Sequence, residues 1–382
     1  MLKGTARLRI NPSALEELLK KPIDWDLVIS EGYRHGTISL INKHLSGDIG
    51  GKVPAAVRRR LNDAYLNLTA SGLHHVTEFK RFTDATNEAG IEIIVLKGMA
   101  LAESIYGDIG LRPLSDIDIL VKENDWSKIY QLSAELGYKN CGYDFADVPP
   151  KITSFDTQAH IQYFAPSGIC LEFQFDLLTI GIGMKDIQGV WQRARDAKVY
   201  GQKVKVLSPE DQLLHLVVHA NRHGCTRLKW MVDIVESLNH GPAIDWDVLE
   251  TIAERERVAT VFYLTLEHVG KLMGAQLMSN ALQQRALPKL YKRIIWKSIW
   301  PRRQLYRFEG RMEDGICYYF YKPFSGWNLL NFALTGRISD KISYQARWII
   351  PSREWMEKKY GEQKILKLLK YYPLRLVSRH RR

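Results

Sequence analysis

Two aspartates interrupt an apolar segment, LRPLSDIDILV at residues 111–121, and this arrangement limits the possible folds more than any other feature of the sequence. In a β-strand, side chains two residues apart lie on the same face, so Asp116 and Asp118 point together while Ile117 and Ile119 point to the opposite side. Two carboxylates this close raise each other's pKa unless a cation lies between them. The segment therefore predicts a strand with one apolar face and one acidic face that can hold a divalent metal ion.

A second interpretation of the acidic pair is structural, because aspartates often end strands and accept hydrogen bonds from turn amides. Mg²⁺, by contrast, prefers oxygen ligands and is commonly bound by one or two carboxylates together with substrate phosphates. The segments on either side of Asp116 and Asp118 supply further groups of that kind, and they favour the metal site.

The spacing of apolar residues divides the chain into three regions. It is mainly helical over residues 1–84, alternates between strand-like and helical runs over residues 85–205, and is helical again over residues 206–382. We therefore predict an α+β fold in which a small mixed β-sheet core is flanked by N-terminal and C-terminal helical regions. The C-terminal region is predicted to recognise an acceptor or to bind a surface.

Local signals predict where several elements begin. Asn11 followed by Pro12, and Ser208 followed by Pro209, are typical of a helix N-cap and a proline at the first helical position. The strand-like runs AHIQYF and ICLEFQFDLL are joined by APSG, which predicts a β-hairpin with a turn at that proline and glycine.

Phosphate-binding and acidic groups flank the aspartate pair. The segment IIVLKG predicts a buried strand that enters a turn at Gly98, where backbone N–H groups and the nearby Lys97 can bind phosphate oxygens. Glu172 in CLEFQF is a candidate third carboxylate from a neighbouring strand, and Asp176 is its rival on the same strand face. A third carboxylate can also accept a proton from an attacking hydroxyl. These groups together predict a phosphoryl-transfer site.

The segment LKGMALAESIYGDIGLRPLSDIDILVKENDW resembles the signature of the uncharacterised bacterial nucleotidyltransferase family within the DNA polymerase β-like superfamily. LSPEDQLLHLVVHANRHGCTRLKWMVDIV resembles the helical segment that follows in that family. The resemblance implies a mixed-sheet nucleotidyltransferase core that binds two Mg²⁺ ions and transfers a nucleoside monophosphate from a nucleoside triphosphate, releasing pyrophosphate. It implies Gly98 at the phosphate turn, Asp116 and Asp118 as metal ligands, and Glu172 as the third acidic residue.

The chain departs from that superfamily at two positions. Met99 follows the turn glycine, where the superfamily usually has serine. Gln174 lies two residues after the third acidic residue, where related sequences often have histidine. The resemblance therefore does not define which residues of this chain contact the triphosphate.

Further nucleotide-binding candidates are Arg112, Ser115, His219 and Arg227. A guanidinium at Arg112 can bridge triphosphate oxygens or clamp the aspartates when metal is absent. The alternative for Arg112 is a surface residue paired with Asp108 or Glu103, and the alternative for Arg227 is a surface salt bridge.

Three histidines recur every four residues on one predicted helix: His215, His219 and His223. Such spacing can bind zinc, but the glutamate of an HExxH motif is missing, so zinc is not favoured. A position of His219 or His223 at the nucleotide pocket is favoured instead, and a buried, hydrogen-bonded histidine is the alternative for His215.

The formal net charge of +12 is concentrated near the C-terminus, in YKRIIWKSIWPRRQLYR and KKYGEQKILKLLKYYPLRLVSRHRR. Such a surface favours polyanions, among them nucleic acid, an anionic membrane surface and a phosphorylated substrate. Aromatic residues interleave these cations, which suits either base stacking or ordinary helix cores, and nucleic acid is possible but not favoured. A terminal basic amphipathic helix would suit peripheral membrane contact.

Three features of the sequence indicate the cellular compartment of the protein. No apolar run reaches the roughly 18 residues that span a bilayer, and MLKGTARLRI lacks the apolar core of a signal peptide. The four cysteines lack CxxC pairing, which predicts reduced, mostly buried thiols. We therefore predict a cytoplasmic protein that can contact a membrane surface peripherally.

The functional prediction is a Mg²⁺-dependent nucleotidyltransferase that uses a nucleoside triphosphate, with ATP favoured, and an unknown small-molecule, peptide or macromolecular acceptor. Two alternatives stay open. One is a catalytically silent nucleotide-binding or regulatory module, and the other is a basic RNA- or membrane-surface-binding protein whose acidic pair is structural.

Overall fold

The computed structural model describes residues 1–46, 51–140, 160–178 and 184–279. The basic and aromatic segments beyond residue 280, with the predicted amphipathic helix, lie outside the described residues. None of the helices in the described ranges combines the length and apolar character needed to cross a bilayer. Cys170 and Cys225 are buried free thiols, as predicted, while Cys141 and Cys317 lie outside these ranges.

The chain begins with a helical region. Its helices are α1 (Leu2–Thr5), α2 (Pro12–Leu19), α3 (Trp25–His35), α4 (Ile38–Leu45) and α5 (Ala55–Glu88). The side chain of Asn11 accepts a hydrogen bond from the Ser13 N–H at 3.0 Å, with Pro12 at the first helical position, which confirms the predicted start of α2. Because α5 continues to Glu88, it crosses the boundary predicted at residue 84, and the division into three regions stays a prediction.

One mixed sheet forms the centre of the described part of the molecule, as predicted. Its strands are β1 (Ile94–Val95), β2 (Ile117–Leu120), β3 (Lys139–Asn140), β4 (His160–Phe164), β5 (Cys170–Gln174), β6 (Arg195–Val199) and β7 (Gln202–Val206). Their spatial order is β3-β4-β5-β2-β1-β7-β6. The β2/β5 and β1/β7 pairs are parallel, whereas the other neighbours are antiparallel.

Helices connect and cover the strands. They are α6 (Lys97–Leu101), continued by a π-helical turn (Ala102–Tyr106), a 3₁₀ turn (Glu123–Asp125), α7 (Trp126–Glu135), α8 (Ile187–Arg193), α9 (Pro209–Arg222), α10 (Leu228–His240), α11 (Trp246–Arg255) and α12 (Ala259–Met273). Ser208 caps α9 by accepting the Asp211 N–H at 3.1 Å, with Pro209 at the first helical position, as predicted.

One face of the sheet is apolar and packs against α5 and α7. Ile117, Ile119 and Phe173 are fully buried in this layer. The ring of Phe173 lies 5.3 Å from Phe82 of α5 and 6.0 Å from Trp126 of α7, measured between centroids. Burial of this apolar surface is the main contribution of the layer to stability.

The opposite face is covered by the C-terminal helices. Leu96 and Leu120 belong to a second apolar cluster that includes Leu213 and Val217 of α9 and Met231 of α10. Strand alternation assigns Asp118 to the same face as Leu120, since these residues are two apart. The sheet therefore presents its acidic residues toward the helical region that follows it in sequence.

Two hairpins differ in how visible they are in the sequence. The predicted one is confirmed: β4 and β5 pair antiparallel, and Gly168 adopts a left-handed φ of 83° in the turn. The β6/β7 hairpin was not predicted, although its strands alternate and its turn residues Tyr200 and Gly201 have φ angles of 49° and 84°. Those angles are typical of a tight type I′ turn, and a YG pair is a weaker signal for it than Asn-Gly.

Candidate active site

The structure brings three carboxylates together on the acidic face of the sheet. Asp118 of β2 lies directly opposite Glu172 of the parallel strand β5, and Asp116 immediately precedes β2. One carboxylate oxygen from each of the three residues lies within 4.8 Å of the other two. Asp118 and Glu172 are buried and Asp116 is half-buried. The predicted common face is confirmed, and the catalytic roles of these residues stay a prediction.

The electrostatics of this acidic cluster favour a cation. Burial raises the pKa of Asp116, and the neighbouring charge of Asp118 raises it further. Burial likewise raises the pKa of Asp118; Lys97 opposes that shift and the charge of Glu172 reinforces it. A set of oxygen ligands that is costly to leave charged fits a hard divalent ion such as Mg²⁺.

Four side chains of the described residues donate hydrogen bonds to the cluster: Ser115, Lys97, Gln174 and Gln162, the last to Glu172 Oε2 at 3.2 Å. The Lys97 ammonium donates to Asp118 Oδ1 at 2.9 Å. The Gln174 amide donates to Asp118 Oδ1 at 2.7 Å and to Glu172 Oε1 at 3.0 Å. Burial alone would lower the pKa of Lys97, but the charges of Asp118 and Glu172 outweigh it and leave the pKa raised. Sequence reasoning noted Gln174 only as a departure from related sequences and missed that it orients both carboxylates.

The predicted glycine turn is wrong in one respect. Lys97 itself adopts the left-handed conformation, with φ of 37°, whereas Gly98 lies inside the first turn of α6. Gly98 gives room to neighbouring side chains: a Cβ there would lie 2.8 Å from both Arg112 Nη1 and Leu114 Cδ2, and these side chains would have to shift. The glycine therefore allows the Arg112 guanidinium to approach the turn.

Arg112 is buried, so the alternative of a surface arginine paired with Asp108 or Glu103 is wrong. Its Nε and Nη2 donate to the two carboxylate oxygens of Asp233 in α10, at 3.1 and 2.8 Å. Tyr106 also donates to Asp233, at 2.8 Å. This two-point ion pair connects the approach to β2 with the C-terminal helices, and Nη1 is directed at Gly98.

Asp176 lies apart from the three clustered carboxylates. Its Oδ1 accepts the Leu178 N–H at 2.6 Å and its Oδ2 accepts the Met184 N–H at 2.5 Å. Burial raises the pKa of Asp176 to about 6. Both oxygens are engaged by backbone groups after the end of β5, which leaves Glu172 as the residue that the geometry favours for the third carboxylate.

The histidine stripe of α9 lies over the acidic face. His215 is buried and shares a hydrogen bond of 2.8 Å between Nδ1 and the Leu177 carbonyl, and its pKa is lowered to about 3 by burial. Burial also lowers the pKa of His219, and the charge of Lys97 lowers it further, so the two side chains are close. The ring of His219 meets Trp230 edge to face, with centroids 5.5 Å apart, and the ring of His223 lies tilted against Trp230 at 4.8 Å.

Hydroxyl and cationic groups complete the surroundings of Asp116. The exposed Ser115 donates to Asp116 Oδ1 at 3.0 Å. Arg227, at the start of α10, lies with its guanidinium carbon 5.8 Å from the centroid of the Trp230 ring. Charge interactions with Asp116 reach both Arg227 and Lys229. Sequence reasoning chose Arg227 over Lys229 in this stretch; only the folded arrangement shows that Lys229 belongs to the same group.

Two solved structures are similar to part of this chain. No curated protein matches the chain. The antibiotic-resistance factor ANT(2'')-Ia has a similar solved structure, with 16% identity and a TM-score of 0.35 over 51% of this chain and 95% of that one. An antigenic nucleotidyltransferase-like protein from Paracoccidioides brasiliensis is also similar, with 14% identity and a TM-score of 0.32 over 58% of this chain and 97% of that one.

The family evidence covers more of the sequence than the segments quoted above. A profile for a family described as uncharacterised nucleotidyltransferase matches residues 21–274, which is more than half of the chain. The matched range contains the sheet, the acidic cluster and the helices that cover it. The protein therefore belongs to this nucleotidyltransferase family and is a nucleotidyltransferase.

Proposed function

We propose that the protein transfers a nucleoside monophosphate from a nucleoside triphosphate, with ATP favoured, to a hydroxyl or phosphate group of an acceptor in a Mg²⁺-dependent reaction that releases pyrophosphate. The observation that carries the proposal is the meeting of Asp116, Asp118 and Glu172 within 4.8 Å on one face of the sheet. Family membership supports nucleotidyl transfer in general, and the carboxylates support the metal.

The donor set fits magnesium, because it consists of carboxylate oxygens, and Mg²⁺ is commonly bound by a few carboxylates together with water and substrate phosphates. Asp116, Asp118 and Glu172 would hold two Mg²⁺ ions. Bound magnesium would supply neutralisation of the charge on the triphosphate and on the reacting oxygens. Gln174 holds two of these carboxylates in place through its amide.

In the proposed reaction an acceptor oxygen forms a bond to the α-phosphorus while the bond from that phosphorus to the bridging oxygen of the β-phosphate breaks. Pyrophosphate leaves with that bridging oxygen and its electron pair. When the acceptor is a hydroxyl, its proton passes to a carboxylate, and Glu172 is the residue we assign to that role. When the acceptor is a phosphate, no proton transfer is required.

Groups around the acidic cluster suit the nucleotide. Lys97 is positioned by its own bond to Asp118, and Arg112 is held by Asp233 against the turn at Gly98. His219 is neutral because its pKa is lowered by burial, so it can accept or donate a hydrogen bond without repelling Lys97. We assign nucleotide binding to the following residues: Lys97, Gly98, Arg112, Ser115, His219 and Arg227.

The direct test incubates the full-length protein with α-labelled nucleoside triphosphates, Mg²⁺ and pools of small-molecule, peptide and RNA acceptors. Labelled acceptor and pyrophosphate should appear with the wild type and be absent with the double variant Asp116→Ala/Asp118→Ala. Asp196→Asn is the matched control, since the Asp196 side chain is 90% exposed on β6. Equal labelling by wild type and double variant would remove these aspartates from the mechanism.

The same assay separates the proposed enzyme from a catalytically silent binding module. Such a module would gain thermal stability with nucleotide while releasing no pyrophosphate with any acceptor pool. For the C-terminal region, residues 206–382, we propose acceptor recognition or contact with an anionic surface in a cytoplasmic protein. Salt-sensitive binding to phosphatidylserine vesicles would support surface contact, and its absence would leave acceptor recognition.

A further inference from the structure

Lys229 is a cation near the acidic cluster. It is not among the residues that the proposed function assigns to catalysis or nucleotide binding. It is the second residue of α10, and its charge interacts with Asp116 of the cluster and with Asp233. The described residues offer it neither a hydrogen bond nor an ion pair within 4.0 Å. Burial and the neighbouring Arg112 and Arg227 lower the pKa of Lys229 to about 8.

The stem of Lys229 is held in position by the N-terminal helical region. Gly36 ends α3 with φ of 67°, and a Cβ there would lie only 2.7 Å from Lys229 Cδ. The residue before Gly36, His35, contacts the residue before Lys229: His35 Nδ1 accepts the Leu228 N–H at 3.3 Å. The end of α3 is thus shaped around the start of α10, which fixes the direction of the Lys229 side chain relative to the sheet.

The positive charges of Lys229 and Arg227 have no ion-pair partner in the described part of the chain, so an anionic ligand would stabilise them. Arg112 is neutralised by Asp233, and Lys97 is neutralised by Asp118. Lys229 and Arg227 have no such carboxylate within ion-pair distance, although both interact with Asp116 at longer range. Holding two uncompensated cations in a partly buried place is costly unless a ligand brings negative charge.

A triphosphate can supply such negative charge. If its α-phosphate binds beside Asp116 and Asp118, its terminal phosphates need cations, and Lys229 and Arg227 are available in addition to Lys97 and Arg112. We propose that Lys229 binds the β- and γ-phosphates of the donor, and hence the pyrophosphate product, with Arg227 beside it. This assignment rests on the proposed function.

The experiment measures equilibrium binding of ATP, AMP and inorganic pyrophosphate to full-length protein with Mg²⁺ and no acceptor. Lys229→Met keeps the aliphatic stem that packs on Gly36 and removes the charge. Binding of ATP and pyrophosphate should weaken roughly 10- to 100-fold, the range for a charged hydrogen bond, while AMP binding stays unchanged. Lys229→Arg, which retains the charge, should recover part of the affinity for pyrophosphate.

Lys128→Met is the matched control, because the Lys128 side chain is 62% exposed on α7, at the other face of the sheet. Equal weakening of ATP and AMP, or a change confined to Mg²⁺ affinity, would overturn the assignment and make Lys229 a counter-charge for Asp116. If the wild type binds neither ATP nor AMP, the proposed function itself fails. If it binds both and Lys229→Met keeps the preference for ATP, only this inference fails.

Discussion

The two faces of the central sheet use the same strands for different purposes. On one face Ile117, Ile119 and Phe173 are fully buried against α5 and α7. On the other, Asp118 and Glu172 are also buried, but they contact Lys97, Gln174 and each other instead of apolar side chains. Because Asp118 and Glu172 are buried as the apolar residues are, burial alone does not distinguish the core from the candidate site.

What distinguishes the faces is the free-energy consequence of burial. Removing apolar groups from water stabilises the fold, whereas burying carboxylates costs free energy unless cations or hydrogen bonds compensate. Burial of the apolar face therefore stabilises the sheet, and burial of the carboxylates on the acidic face lowers that stability. Substitutions on one face should change stability, and substitutions on the other should change chemistry.

The largest effect is expected from Asp118→Asn. An amide keeps the shape of the side chain but removes a negative charge from the center of the acidic cluster, so nucleotidyl transfer should fall about 1,000-fold or more. Initial rates of pyrophosphate release check this, with thermal unfolding to confirm the fold. Asp196→Asn, at an exposed position, should leave the rate unchanged. A rate near wild type for Asp118→Asn would contradict the division between the faces.

On the apolar face, Phe173→Ala should lower the free energy of unfolding by about 3 to 5 kcal/mol, because it removes a buried ring and leaves a cavity. Urea denaturation measures the loss. Phe164→Ala is the matched control on the neighbouring strand β4, since Phe164 is 37% exposed and should contribute far less. Equal losses at the two positions would show that the apolar layer is not the main support of the sheet.

Asp176 is a buried carboxylate near β5 that lies outside the acidic cluster, and we expect it to affect the pH dependence of stability. Its pKa is about 6 in the folded protein because of burial, against 3.8 ordinarily, so the folded state binds this proton more tightly than the unfolded chain does. Its contribution to stability should therefore be greatest below pH 4 and be lost as the pH rises through 6, by about 3 kcal/mol. Asp176→Asn should flatten the dependence of unfolding free energy on pH between 4 and 6.

Asp176→Asn should also separate structural from catalytic carboxylates by its rate of nucleotidyl transfer. Both oxygens of Asp176 accept backbone N–H groups, so nucleotidyl transfer by folded Asp176→Asn should stay within a few-fold of wild type, about as for other substitutions outside the site. A loss as large as that of Asp118→Asn would place Asp176 with the catalytic carboxylates after all.

The smallest effect is expected from Gly98→Ala. The new methyl group would meet Arg112 Nη1 and Leu114 Cδ2 at 2.8 Å, and both are ends of side chains that can move. We expect a loss of about 1 kcal/mol in stability and a higher KM for the triphosphate as Arg112 shifts. Gly51→Ala is the control, since nothing lies within 4 Å of a Cβ there. An unchanged KM would show that the position of Arg112 does not affect the nucleotide.

Features that depend on near neighbours in the chain can be predicted from the sequence alone. Alternation along one strand placed Asp116 and Asp118 on a common face, and capping residues marked the starts of α2 and α9. Proline and glycine marked the β4/β5 hairpin. Each of these signals acts over a few residues, where backbone geometry and local hydrogen bonds decide the conformation.

Contacts between residues far apart in the chain depend on the tertiary structure. Glu172 lies opposite Asp118 because two strands from separate parts of the chain pair in parallel, and no local pattern sets that register. Arg112 binds Asp233, 121 positions away, and Lys229 packs on Gly36 at the end of α3. Such contacts follow from how whole layers pack against each other, and their free energy depends on burial and charge that exist only once the chain has folded.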